Sequence, residues 1–474
     1  MSVTTHDTHE KADPSQAAGD GDPPVLSALA AFATSIGEAS VPARVREQAA
    51  LCLLDTLGCM IAGSVLPEVG QLIAAEGALS ASETALSVPA QARVLGYAGD
   101  VLELNDLVGG HASIGTVAAT VSAARGRGVS GTELLDAIVA GDEVTARLYE
   151  ASAWTRKPYT ESGIVIPSLI SSIGAAAAVA RLHDLPVDLA AEAMAIAGTI
   201  ASWGPAEVVF GTGGTIKPML FGAAPAASAI QAVAYARHGI TGPLRLVESP
   251  IGLMTATAAN YDLDKLYDTK SWYLLQPQRK LHASCGYTHS SIDAVAGLVR
   301  QGVPVATAER IEVQLPEYLL AAVRKEQPPR TPNEARFHLQ YCVALAASGV
   351  DVIGPEHTVE FARHSALPEI ESLVSRIAVV PLDVTSSIHS KPYNVSHVVV
   401  THADGSVTEG GCEAPRGSSG NPLSDHDVIA KFRRVAAARL SASAVDDCVE
   451  AVLHLDEQSD IAWLGDLVGL ILGE

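Results

Sequence analysis

Aromatic residues are scarce in this chain: Phe, Trp and Tyr together make up only 4% of its 474 residues. That excludes a core filled by large rings, yet the hydrophobic fraction still reaches 48%. Alanine-rich runs such as "GAAAAVARL" (174–182) and "AAPAASAIQAVAYA" (223–236) supply much of it. Side chains this small favour closely packed helices over a broad β core. Positive charge is also short, with 31 Lys and Arg against 53 Asp and Glu and a formal net charge of −22. Such a surface repels phosphate backbones and anionic membranes, and no basic run offsets it locally, so nucleic acid is not expected as a partner. The six cysteines, at 52, 59, 285, 342, 412 and 448, form no CxxC pair and no disulfide framework, which fits free thiols in a reducing cytoplasm. No uninterrupted apolar run approaches the roughly 18–20 residues that a membrane span needs. The opening "MSVTTHDTHEKADPSQAAGDGDPP" lacks the apolar core of a signal peptide and reads as a disordered tail, residues 1–23. These absences together predict a soluble, cytoplasmic protein without a membrane partner.

What is present is mostly helical spacing. From Val25 to Ala62 apolar residues recur every three and four positions. "SGTELLDAIVAGDEVTARLYEAS" opens with Ser130 and Glu133 placed as an N-cap and first turn. Further helices are predicted over 168–183, 186–202, 217–238 and 289–301. Beyond about Gly302 the period changes to two, in 310–320, 376–383 and 396–411, with Ala403-Asp404-Gly405 as a hairpin turn. Helical segments lie between these strands at 333–347 and 355–364, and helix returns from Asp425. The chain is too long for one ordinary core. The pattern predicts a mainly α protein: a large all-helical domain made by both chain ends, 24–275 and 413–474, with a smaller α+β domain, 276–412, inserted in it. No repeat at the roughly 20–50-residue period of solenoids or propellers is present.

Three stretches concentrate chemistry. "RKLHASCGYTHSSIDA" (279–294) holds Lys280, His282, Cys285, Tyr287 and His289. His282, Cys285 and His289 have a spacing that zinc accepts, but the chain offers no second Cys/His pair, so no metal is expected. Cys285 has His289 four residues on, as an activated thiol would require, although a buried inert cysteine fits equally. Lys280, just before a helix, either binds a carboxylate and exchanges protons or is a solvated surface lysine. "GDVLELNDLVGGHASIGTVAATVSAA" (99–124) sets Glu103, Asn105, Asp106 and His111 on a glycine-flexed segment, placed for proton exchange or simply ending a helix. "FGTGGTIKPMLFGAAPAA" (210–227) places Lys217 at a predicted helix start. It lacks the Gly-Lys-Ser/Thr ending of a phosphate loop and Pro218 follows the lysine, so a carboxylate site suits it better.

Taken in order, "LELND…GH", "GAAAAVARL", "GTGGTIKPMLFGAA", "GITGPLRLVES", "RKLHASCGYTHSSIDA", "PNEARFHLQYCVALA" and "HADGSVTEGG…GNPLSD" resemble the MmgE/PrpD family over about residues 25–460. The resemblance implies a helical domain with an inserted α+β lid, a homodimer, an active site between the two, and no metal or organic cofactor. It implies chemistry beside a carboxylate of a small polycarboxylic acid: dehydration or decarboxylation, or epimerisation by the same proton transfer. A ligand-binding descendant without catalysis is the other class compatible with the fold. Carried over by position, the family's acidic Asp-Phe-Asp-Asp motif falls on Glu103-Leu104-Asn105-Asp106, its histidine on His111, and its lysines on Lys217 and Lys280. Cys285 stands where some members have histidine, and Tyr318 in "LPEYLL" is a weaker match. The implied roles are proton transfer by His111, orientation by Glu103 or Asp106, and substrate binding by Lys217, Lys280, Asn105, Cys285 and Tyr318. His282 and His289 are expected to be structural. Two positions depart from the family: "GIVIPS" (163–168) has Val165 where a histidine is usual, and Asn105 replaces a carboxylate. Both changes make the pocket less polar or less charged, and Tyr159, Thr160 and Glu161 are the nearby groups able to compensate.

Overall fold

A computed structural model of the chain describes residues 22–37, 39–80, 85–152, 155–211, 214–382 and 394–474. Nearly all of the predicted tail therefore lies outside the described residues. The chain is mostly helical with one small sheet.

The helix Ala43–Gly63 begins after Pro42 and is buried without a break from Gln48 to Gly63. It is covered on one side by the C-terminal helix Asp425–Ala436, whose start is fixed by a capping box between Ser424 and Asp427. A Cβ on Gly58 would stand 2.9 Å from Val435 and 3.0 Å from Phe432, so this crossing needs glycine. The alanine-rich helix Pro167–Leu182 packs among Gly131–Ser152, Ala112–Ala124, Val187–Ile200 and Ala223–Arg237. Its small residues let these neighbours approach closely, as the composition implies. One stretch, Lys217–Arg237, is long and apolar enough to cross a membrane by composition, but 67% of its apolar window is buried inside the protein. Packing against other helices accounts for that apolarity.

The sheet holds four strands in the order β2-β1-β3-β4, formed by β1 (Arg310–Pro316), β2 (Ile377–Leu382), β3 (Ser396–Thr401) and β4 (Val407–Cys412). β1 runs parallel to β2, with Ile311 opposite Ile377, and antiparallel to β3, with Val313 opposite Val398. Gly405, at φ 81°, closes the hairpin between β3 and β4 where the sequence places it. The helices His289–Arg300 and Leu339–Ala347 pack against the sheet and each other.

Two expectations are corrected. The strand expected over 310–320 stops at Pro316, which has no N–H to continue the ladder, and Glu317–Val323 is a helix. The helix expected from Lys217 begins at Ala223, and Lys217 lies in a separate 3₁₀ turn, Lys217–Met219. The helix Val88–Asp100, capped by the Ser87 hydroxyl accepting from Ala90 N–H at 3.4 Å, escaped the sequence reading. It delivers the acidic segment to the site.

Candidate active site

The loop after Asp100 is held from several sides. Lys431 Nζ donates to the Leu104 carbonyl at 2.8 Å, and Leu107 N–H donates to the Gln278 carbonyl at 2.8 Å. The second contact ties this loop to the segment carrying Lys280. Gly110, at φ 71°, lies against the Tyr149 ring, which a Cβ would meet at 2.1 Å. Three non-glycine residues among those described have positive φ, and two are Glu103 (53°) and His111 (101°). Backbone held in this region costs about 1–3 kcal/mol per residue and persists where surrounding contacts enforce it.

Glu103, Lys217 and Lys280, far apart in sequence, converge. Lys280 Nζ is 2.7 Å from Glu103 Oε2, while Lys217 pairs with Glu103 Oε1 and lies 3.1 Å from Asp100 Oδ2. One carboxylate thus spans two buried ammonium groups. Lys217 also stands 4.7 Å from the centre of the Phe221 ring, and the His111 ring stacks on that ring at 4.6 Å, nearly parallel. Phe221 and Asp100 are site residues the sequence reading did not single out, although Asp100 lies within the stretch quoted for Glu103.

Asn105 Nδ2 lies 2.8 Å from His111 Nδ1. An amide nitrogen only donates, so Nδ1 is the acceptor and the ring proton sits on Nε2. The same nitrogen lies 3.5 Å from the Asp106 carbonyl, which favours this amide orientation. Burial and the charge of Lys280 hold the imidazole well below its ordinary 6.5. His111 is therefore a neutral hydrogen-bond donor at neutral pH. Burial also pushes Lys217 down to about 8, with Asp100 opposing, and lowers Lys280. Asp106 forms no ion pair with either lysine among the described residues: its Oδ1 accepts from Val108 N–H at 3.2 Å, and burial with the nearby Asp55 charge raises its carboxyl to about 6.

Cys285 is buried and its thiol is raised by burial, so it is not an activated nucleophile. Its opposing influences are Lys280, Lys217 and Lys325, which puts all three ammonium groups within electrostatic reach of one sulfur. Tyr318 sits on the helix Glu317–Val323 and is 43% exposed, unlike the buried cluster. His282 contacts Asp293 Oδ1 at 3.2 Å and accepts from Ile353 N–H at 3.2 Å, while His289 contacts the Ser284 carbonyl at 3.3 Å. Among the described residues, no three His, Cys, Asp or Glu side chains converge as a metal site.

Val165 is partly buried and its N–H donates to the Gly204 carbonyl at 2.7 Å. Of the three compensating residues, Thr160 and Glu161 are exposed. The Tyr159 hydroxyl is buried with no hydrogen-bond partner, and its ring lies 4.2 Å from that of Phe210. Beside the cluster opens a cavity of about 270 Å³, lined by Lys217 on one side and by Lys325, Arg330, Asn333 and Phe337 among others. A helical scaffold thus presents a buried carboxylate held between two lysines, with a neutral histidine beside it.

Residues 27–265 match the MmgE/PrpD N-terminal domain and residues 282–457 the MmgE/PrpD C-terminal domain. The chain belongs to the MmgE/PrpD family. It is similar to cis-aconitate decarboxylase of Homo sapiens, 28% identical over 361 residues covering 72% of this chain and 69% of the relative. The Mus musculus cis-aconitate decarboxylase is 26% identical over 72% of this chain and 68% of its own length. The cis-aconitate decarboxylase-like protein oryM of Aspergillus oryzae (strain ATCC 42149 / RIB 40) is 25% identical over 95% of this chain and 98% of its own.

Proposed function

We propose that the protein is a lyase that decarboxylates a small polycarboxylic acid using its own side chains. The observation that carries this reading is Glu103 spanning Lys217 and Lys280, because the lysine pair already accepts a carboxylate in a desolvated site. The named relatives supply the direction of the reaction. A substrate carboxylate takes the lysine pair from Glu103. The bond from the departing carboxylate to its carbon breaks, carbon dioxide leaves, and the electron pair remains on the skeleton as an enolate-like charge. Lys280 and the Nε2–H of His111 stabilise that charge, acting as donors already in place. Lys217 returns a proton to carbon, for which a value near 8 leaves it charged yet acidic at neutral pH. In this reading His111 is a donor, and the proton transfer its side chain was expected to perform belongs to Lys217. The resemblance puts Val165 at a position where a histidine is usual, and we expect the preferred acid to differ accordingly.

Proton NMR in deuterated water tests this, using cis-aconitate and a panel of unsaturated and hydroxylated di- and tricarboxylates. Loss of one carboxyl group with one deuterium entering carbon is the expected result. Loss of water, or deuterium entering an unchanged skeleton, would replace decarboxylation by dehydration or epimerisation. A protein that turns over none of the acids would leave the lyase reading without support.

Asn105 sets the histidine's role, and Asn105→Asp should reverse it. A carboxylate accepts a hydrogen bond from Nδ1–H and stabilises the imidazolium, so the His111 value rises and the neutral ring carries its free lone pair, and its basicity, at Nε2. The wild-type pH profile of kcat/KM is expected to show no histidine limb between about pH 5.5 and 7.5, the range in which an unshifted histidine titrates. The variant should gain one. Identical profiles would mean that the Asn105 amide does not fix the tautomer.

A further inference from the structure

The lysine pair explains how one carboxylate is held, but the cavity beside it has a second cationic wall. Lys325 follows the helix Glu317–Val323 and lines the same cavity as Lys217. It is half-buried, and its Nζ donates to the Phe210 carbonyl at 2.7 Å. Its own backbone is pinned, since the Lys325 carbonyl accepts from Gln340 Nε2 at 2.7 Å. Among the described residues no carboxylate lies within ion-pair distance of it. Arg330 on the same wall differs, because Glu334 pairs with it at 3.3 Å. Among the described residues Lys325 is thus a positioned ammonium whose one hydrogen-bond acceptor is a neutral carbonyl. The same lining carries Glu326 and Glu334, the latter paired with Arg330, so Lys217, Lys325 and Arg330 outnumber its carboxylates by one in a chain of net charge −22.

We propose that Lys325 is a second carboxylate-binding residue, which holds the far acidic group of a substrate whose near carboxylate lies on Lys217 and Lys280. The inference rests on the lyase reading above and adds to it the residue that holds the second carboxylate. The cavity of about 270 Å³ admits such a molecule. Burial lowers the Lys325 ammonium's affinity for its proton, and Cys285 is the first of the groups opposing that. Lys217, which touches Glu103 together with Lys280, is the residue of the pair that shares the cavity lining with Lys325.

Calorimetric titration of the full-length wild type, Lys325→Met and Lys325→Arg with acetate, succinate and cis-aconitate tests the proposal. Lys325→Met should weaken cis-aconitate and succinate by about tenfold or more, the scale of one charge-assisted contact, and leave acetate unchanged. Lys325→Arg should retain most of the affinity. The unchanged acetate binding shows that the variant is folded and its lysine pair intact. Equal affinities of wild type and Lys325→Met for cis-aconitate, or an equal loss for all three acids, would overturn the second site while leaving the lyase reading in place. A wild type that binds none of the three would overturn both.

Discussion

Lys280→Met should fold and yet lose about 10²–10³-fold in kcat/KM, the usual effect of removing one fixed donor from a developing negative charge. Lys280 is 1% exposed, and its ammonium lies 2.7 Å from Glu103. Methionine keeps most of the apolar stem and removes only the charge and its donors. Glu103 remains paired with Lys217, so the variant does not leave a wholly uncompensated buried carboxylate. Stability should therefore fall far less than activity. Steady-state kinetics with the best substrate found by NMR, beside a thermal melt, separate the two effects. A variant with near-normal kcat/KM would remove Lys280 from the mechanism. A variant that unfolds would show that Lys217 alone cannot neutralise Glu103.

Periodicity carried the helices and the hairpin because those signals are local. The buried run of Ala43–Gly63 and the turn at Gly405 need nothing beyond spacing and backbone preference. Lys217 was misplaced by a helical turn because Pro218 and Gly222 allow a short 3₁₀ segment before the long helix, and apolar spacing alone does not separate the two. Tyr318 was assigned to a strand because alternation continues past Pro316 in the sequence, although the ladder does not. For the site, residue scarcity was informative: in so acidic a chain the lysines at 217 and 280 stood out, and both reach Glu103. Direction was not legible. Asp106 stands three residues from Glu103 but accepts from Val108 N–H and, among the described residues, pairs with neither lysine. Lys325 and Lys431 carried no local signal, because their partners are a carbonyl 115 residues away and the distant residues Asp55 and Leu104.

Lys431 should give the largest stability effect in the molecule. Its side chain runs from the C-terminal helix into the helical core, where Nζ meets Asp55 Oδ1 at 2.7 Å and the Leu104 carbonyl at 2.8 Å. Both partners are fully buried. Lys431→Met leaves the Asp55 carboxylate without its cation and the Leu104 carbonyl without its donor. Removing one member of a buried pair costs about 3–5 kcal/mol, mostly because the remaining charge stays desolvated. Denaturant unfolding should show a loss of that size, and the double variant Asp55→Asn with Lys431→Met should recover a large part of it, since no lone charge then remains. Activity should not recover in parallel. Leu104 adjoins Glu103, whose backbone is held at φ 53°, and losing the Lys431 contact removes one restraint on its relaxation. A double variant restored in both stability and turnover would show that Lys431 serves the fold alone. Restored stability with poor turnover would show that the C-terminal helix holds the catalytic loop in its strained shape.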